Sequence, residues 1–335
     1  MQLLRKIGRK VLRAYEMFAR RYLYFTPYYN RRTELPSREP EIYSRSGKRM
    51  HVFFISSRYD AHDPYCLQCV KSPEYILWDR YNFGLKTHFY GEEEAFFLAG
   101  NPDRRFAILG ESRAIIPEVY TKFIRNRSYI ENEFYFLFTF DEEILSTFKN
   151  AKYVPFGSNY WYGMNDNSAI SPENYMNKDK NISIIASNKK MCRMHLVRQE
   201  TAKRCMTEGL ADAFGNFLGG AYVPIELPFQ RYRYSIVIEN NITPYYFTEK
   251  ITNCFAAQTI PIYLGATEIH QFFNPDGIII ISLKDLDRLD EILKQCTTEE
   301  YERRLPAVLD NFERVKQFGN ITDYMYIKHL KDIYD

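Results

Sequence analysis

Residues 234–265 read Tyr234-Ser235-Ile-Val-Ile238-Glu239-Asn240-Asn241-Ile-Thr243-Pro244-Tyr245-Tyr246-Phe-Thr248-Glu249-Lys250-Ile251-Thr-Asn253-Cys254-Phe255-Ala-Ala-Gln-Thr-Ile260-Pro-Ile-Tyr-Leu-Gly265. Ser235–Ile238 is a short apolar run and reads as a strand. Thr248 is a good N-cap for a helix that starts at Glu249 and buries Ile251, Cys254 and Phe255. Ile260–Leu264 is a second apolar run. Strand, helix and strand within thirty-odd residues make a βαβ unit, which places both strands in a parallel sheet.

The same alternation extends in both directions. Ahead of the unit lie a strand at Ile182–Ser187 and a helix from about His195 to Glu208. After it come a short helix near Glu268, a strand at Ile278–Ile281 and an amphipathic helix marked by Leu286, Leu289, Ile292, Leu293 and Cys296. Nearer the N-terminus, strands are expected at His51–Ser56, Tyr75–Trp78, Arg105–Gly110, Phe134–Thr139 and Lys152–Gly157. Helices are expected at Pro117–Arg127 and from Asp141 to Phe148. Residues 158–180 are polar and aperiodic and divide the two sets. The expected domains are a basic helix and linker at 1–48, an N-terminal α/β domain at 49–175, a C-terminal α/β domain at 176–300 and C-terminal helices at 301–335. The fold class is α/β, with two Rossmann-like domains facing across a cleft. That is the GT-B type, although other two-domain α/β enzymes fit the pattern as well.

The chain of 335 residues carries a net charge of +3. Residues 1–22 hold seven Lys/Arg against Glu16, a local +6, so the remainder stands at −3. Nucleic-acid binders spread basic charge over the folded body, and this chain does not. Leu4, Ile7, Val11, Tyr15, Phe18 and Tyr22 share one face of a helix. Such a helix suits an anionic membrane surface, and it equally suits packing on its own domain. Cys66 and Cys69 form an isolated C-x-x-C without the four ligands of a zinc site, so free thiols in a reducing, cytoplasmic setting are expected. No secretory signal and no membrane span is legible.

Strand Ser235–Ile238 delivers Glu239, Asn240 and Asn241 to the carboxyl edge of its sheet, where open α/β sheets bind ligands. The helix beginning at Glu249 aims its N-terminus at the same edge. Free N–H groups, the helix dipole and Lys250 together attract phosphate. Arg198 could add a bidentate contact, and Glu249 could accept hydrogen bonds from ribose hydroxyls. Each feature also has an ordinary reading: Thr-Glu-Lys as capping, Arg198 as a surface arginine, the tyrosines as packing.

The combination, however, resembles a known signature. Ile238-Glu-Asn-Asn-Ile-Thr-Pro-Tyr-Tyr-Phe-Thr-Glu-Lys-Ile, then Asn253 and Ile260-Pro-Ile-Tyr-Leu-Gly265, is similar to the signature of the family 10 glycosyltransferases, the α-1,3/4-fucosyltransferases. Ser187-Asn188 ahead of Arg198, and Pro275-Asp-Gly-Ile-Ile-Ile-Ile-Ser, extend the resemblance over about residues 181–300; it weakens over 77–157. Ile238 departs from the usual phenylalanine. The resemblance implies an inverting transferase that uses GDP-fucose. Lys250 and Arg198 would hold the diphosphate and Glu249 the ribose, while Asn240 and Tyr246 would line the pocket. Glu111, in Gly-Glu-Ser-Arg after a strand, would be the general base. The acceptor would be an oligosaccharide or glycolipid. No metal is required, though a divalent cation could stimulate; Asp285-Leu-Asp287 reads as helix capping rather than a metal site. The competing readings are another nucleotide sugar on the same fold and a non-catalytic glycan-binding protein.

Overall fold

A computed structural model of the chain describes residues 46–57, 70–80, 82–219 and 222–335, with Ser44 and positions 8, 11, 12, 14, 15, 18 and 19. The linker, the Cys66–Cys69 pair and most of the N-terminal helix lie outside the described residues. The described positions 8, 11, 12, 14, 15 and 18 are helical.

The first sheet is built from β1 (His51–Ser56), β2 (Ile76–Asp79), β3 (Thr87–Gly91), β4 (Arg104–Leu109), β5 (Phe136–Thr139) and β6 (Ala151–Tyr153), in the order β2-β1-β3-β4-β5-β6. Every pairing is parallel. Its helices are α1 (Pro117–Arg125), α2 (Arg127–Glu133) and α3 (Glu142–Thr147). The run expected as a single helix over 117–127 breaks at Asn126, whose φ of −112° leaves the helical region. Asp141 caps α3 by accepting the Ile144 N–H.

The second sheet takes β7 (Lys180–Ile185), β8 (Asp212–Phe214), β9 (Tyr232–Ile238), β10 (Ile260–Leu264) and β11 (Ile279–Ile280), in the order β11-β10-β9-β7-β8, again all parallel. Around it lie α4 (Arg193–Thr207), α5 (Glu249–Ala256), α6 (Leu289–Leu293) and α7 (Thr298–Val315). The helix expected near Glu268 is a single 3-10 turn, Ile269–Gln271. Asp285 belongs to a capping box with Ser282 at the start of the 3-10 segment Leu283–Arg288.

Strands β3 and β8 escape a hydrophobicity reading. β3 (Thr-His-Phe-Tyr-Gly) carries Thr87 and His88, yet all five residues are buried. β8 has three residues and begins on an exposed Asp. Their partners define them, not their own composition.

Two connections set how the sheets face each other. Asn253, on α5, accepts the N–H groups of Trp161 (2.7 Å) and Tyr162 (2.8 Å), which pins the interdomain segment to the second sheet. After α7 the chain returns to the first sheet through α8 (Ile321–Met325), a π-helical turn at Tyr326–Leu330 and α9 (Lys331–Tyr334). Ile321, Met325, Tyr326 and Leu330 are buried there against Phe53, Phe89, Phe106 and Phe138. The last helices thus complete the first domain's core, and the hydrophobic burial that fixes them also ties the two domains together.

Candidate active site

In the second sheet the strand order reverses between β7 and β9, and the carboxyl ends of these neighbours diverge. A cavity of about 450 Å³ opens at that place, walled by Ala186 and Ser187 beyond β7 and by Ile238 and Asn240 at the end of β9. The floor demands a glycine: a Cβ on Gly215, whose φ is +97°, would meet the carbonyl of Ala186.

Helix α5 points its first turn into this cavity. Thr248 caps it by accepting the Lys250 N–H. Thr248 itself is held by Glu239, whose carboxylate accepts both the Thr248 N–H (2.9 Å) and the Thr248 hydroxyl (2.7 Å). Lys250 Nζ donates to Thr248 Oγ1 at 2.9 Å and to Glu249 Oε1 at 3.0 Å, and stands 3.5 Å from Glu239 Oε2. Glu239 is fully buried, and burial pushes its carboxyl above the usual range against the pull of Lys250. The ammonium therefore sits on a fixed platform of two carboxylates and a hydroxyl. Gly265 closes the platform from behind. A Cβ there would lie 2.6 Å from Glu239 Cγ and 2.5 Å from the ring of Tyr263.

Arg198 reaches the cavity from the second turn of α4. Its Nε donates to the Ile238 carbonyl and an Nη donates to Asn240 Oδ1, both at 2.7 Å. Burial lowers the guanidinium pKa, while Glu239 and Glu249 oppose that shift. Part of its hydrogen-bonding capacity thus fixes the end of β9 and the Asn240 amide, and the rest of the group stays on the cavity wall. Arg198, Asn240, Glu249 and Lys250 all line this one space.

Glu111 lies on the other sheet, and Tyr246 stands beside the cavity, near enough to act electrostatically on Arg198 without lining the space. Tyr246 is buried at the domain junction, 4.9 Å from Phe140 at the end of β5. Burial first, then Glu239, Glu111 and Glu249, push its phenol well up. Glu111 sits after β4, on the carboxyl edge of the first sheet, with Ser112 N–H donating to its Oε1 at 2.7 Å. Tyr120 donates to its carbonyl at 2.8 Å.

Three groups have roles that the sequence does not announce. Glu239, although part of the quoted signature, is one, as the platform under Lys250. Glu92 is another: it has a φ of +47°, and its buried carboxylate accepts the Gly110 N–H, steadying the turn that carries Glu111. His195 is the third, a buried wall residue of the cavity. The spacing of Glu239 from Thr248 was visible, but the fold alone joins them. Among the described residues no group of three or more His, Cys, Asp or Glu side chains could hold a metal ion. The described cysteines Cys192, Cys205, Cys254 and Cys296 are free thiols.

Residues 175–304 match the family model described as glycosyltransferase family 10 (fucosyltransferase), C-terminal region. The chain carries a family 10 glycosyltransferase domain. That domain contains the whole cavity wall formed by Arg198, Asn240, Glu249 and Lys250. No curated protein sequence matches the chain. Among solved structures, an alpha1,3-fucosyltransferase aligns with a TM-score of 0.50 at 16% identity, over 86% of this chain and 93% of that one. The same kind of enzyme with GDP-fucose gives 0.48 at 17%, over 85% and 91%. Sucrose-phosphate synthase from Thermosynechococcus elongatus gives 0.49 at 10%, over 84% and 88%. At such identities the likeness concerns the fold alone: the family 10 domain and the sheet before it have the two-domain α/β arrangement called GT-B.

Proposed function

We propose that the chain moves fucose from GDP-fucose to a hydroxyl group of a glycan, an oligosaccharide or glycolipid, in one inverting displacement that forms an α-1,3 or α-1,4 linkage. The observation that carries this is the convergence of Arg198, Lys250 and the N-terminus of α5 on one cavity within a fucosyltransferase-family domain. The N–H groups expected to be free at the start of α5 are already taken, that of Glu249 by the Gly157 carbonyl at 2.7 Å and that of Lys250 by Thr248 Oγ1. Negative charge grows on the leaving diphosphate in the transition state, and the fixed cations and the dipole of α5 would stabilise it there without reorganising. They supply the positive charge that the leaving group needs, so no step calls for a metal. Glu249, at the mouth of the same cavity, would accept the ribose hydroxyls, and Asn240 would contact the nucleotide sugar. Tyr246 would shape the junction where the sugar ring lies.

Glu111 would take the proton of the acceptor hydroxyl as it attacks the anomeric carbon. It belongs to the other domain, so closing the cleft brings acceptor and donor together. A β-linked donor would then yield an α-fucoside. The test is transfer itself: incubate the protein with GDP-fucose and a panel of oligosaccharides, and read the anomeric configuration of the product by NMR. An α-fucoside supports the reading. A β-fucoside, or transfer only from other nucleotide sugars, overturns it.

A peripheral station at the inner face of a membrane is proposed for residues 1–22. Val11 is 63% exposed and Tyr15 48% exposed, on a segment with a charge of +6. Among the described residues no helix is long and apolar enough to cross a membrane. Sedimentation with anionic liposomes should pull down the full chain and leave a variant lacking residues 1–22 in solution; equal sedimentation of both would sink the idea.

A further inference from the structure

One buried titratable group of the donor cavity has no task in the mechanism above. His195 lies in the first turn of α4, three residues beyond its N-cap Cys192, and its side chain forms part of the cavity wall. Its Nδ1 accepts the N–H of Met191 at 3.1 Å. An imidazole that accepts at Nδ1 carries its proton on Nε2 when neutral, so this contact fixes the tautomer. The charged groups that act most on the ring are cationic: Arg198 from the next turn of α4, Lys250 from the start of α5, and Lys189 from the segment between β7 and α4; Glu249, paired with Lys250, also lines the cavity. The Asn240 side chain, at the end of β9, hydrogen-bonds the ring and favours its charged form, and a diphosphate oxygen would take over that bond. Burial and those three cations hold the ring down to about 4, so it is uncharged in the empty site at neutral pH.

A neutral imidazole pressed among three cations at a helix N-terminus is an arrangement that an anion would transform. A diphosphate carries two negative charges that cancel the field of Arg198, Lys250 and Lys189. Its oxygens accept from N–H groups, and the Nε2–H is the donor this ring has to offer. We propose that His195 is a further donor-binding residue, which grips a diphosphate oxygen of the nucleotide sugar through Nε2 and takes one proton from solvent as the donor binds. The proton returns to solvent when the nucleotide leaves. This rests on reading the cavity as a nucleotide-sugar site. Charging the imidazole in the complex adds a further positive group beside the leaving phosphates, and its loss on release weakens the hold on product.

Calorimetry of GDP-fucose binding in buffers of different ionisation enthalpy measures the protons taken up. GDP-fucose is the right probe because its diphosphate is esterified at both ends, whereas the terminal phosphate of GDP titrates near pH 6 by itself. Donor binding that raises the ring's proton affinity should give a net uptake of protons per donor bound that is measurable at pH 6 and vanishes well above neutrality. His195→Gln should keep a folded protein that binds more weakly, with uptake near zero. A histidine serving only to hold the Met191 N–H would leave the binding enthalpy independent of buffer. Donor binding by the wild-type protein without proton uptake overturns the inference, as does undiminished uptake in His195→Gln. Absence of GDP-fucose binding altogether overturns the reading of the cavity on which the inference rests.

Discussion

Lys250 Nζ stands 3.5 Å from the fully buried carboxylate of Glu239 and 3.0 Å from that of Glu249. The ammonium is therefore held in place before any ligand arrives. Lys250→Ala removes both a diphosphate contact and the charge that balances Glu239. Charge-assisted hydrogen bonds contribute about 1.5–3 kcal/mol, so donor affinity should fall roughly 10- to 100-fold by calorimetry. The melting temperature should fall as well, because Glu239 is left buried without its cation. Unchanged affinity would remove Lys250 from the donor site.

Glu111→Gln keeps the shape of the side chain and removes its capacity to accept a proton. Donor binding should be unaffected, since Glu111 lies on the other sheet, while turnover should drop by about 10²–10⁴-fold. Calorimetry and a fucose-transfer assay on the same preparation separate the two effects. Full turnover would exclude Glu111 as the base.

The second domain's elements are legible in the sequence because it is locally consistent. Thr248 caps its helix, β10 has the bounds its apolar run announces, and Glu249 and Lys250 line one cavity. The first domain was harder to read. Its third strand buries Thr87 and His88, which look polar in sequence, and its core is completed by Met325, Tyr326 and Leu330 from the far end of the chain. Nor could sequence reveal that Arg198 spends two donors on Ile238 and Asn240, or that Glu239 underpins Lys250, because both depend on neighbours forty and eleven residues away.

Gly265→Ala tests the platform by packing alone. The new methyl group would fall 2.6 Å from Glu239 Cγ, so either the carboxylate or the strand end must shift. Overpacking of this kind costs about 1–3 kcal/mol. Chemical denaturation should show that loss, and donor affinity should fall with it as Lys250 is displaced. A variant as stable as the parent would show that the platform is soft.

His88 gives the protein a defined sensitivity to acid. Its ring is fully buried, its Nδ1 shares a hydrogen bond with the Tyr90 hydroxyl at 2.9 Å, and burial holds it down to about 4 from an ordinary value of 6.5. The unfolded chain therefore binds this proton first. Stability is unaffected above pH 6.5 and is lost progressively as the pH falls toward 4, by at most roughly 3 kcal/mol. Asp323, raised by burial to about 6, works in the opposite sense and gains stability over part of that range. His88→Phe should flatten the fall in melting temperature between pH 6.5 and 4, and an unchanged slope would assign the acid sensitivity elsewhere.

The central claim is that the cavity between β7 and β9 takes GDP-fucose, and its most direct measurement is a calorimetric titration of the wild-type protein with GDP-fucose, GDP-mannose and UDP-glucose, repeated with Glu249→Ala. Saturable binding of GDP-fucose in preference to the other two is expected, weakened at least tenfold in the variant. Tighter binding of another nucleotide sugar, or an affinity for GDP-fucose that Glu249→Ala leaves unchanged, would contradict it.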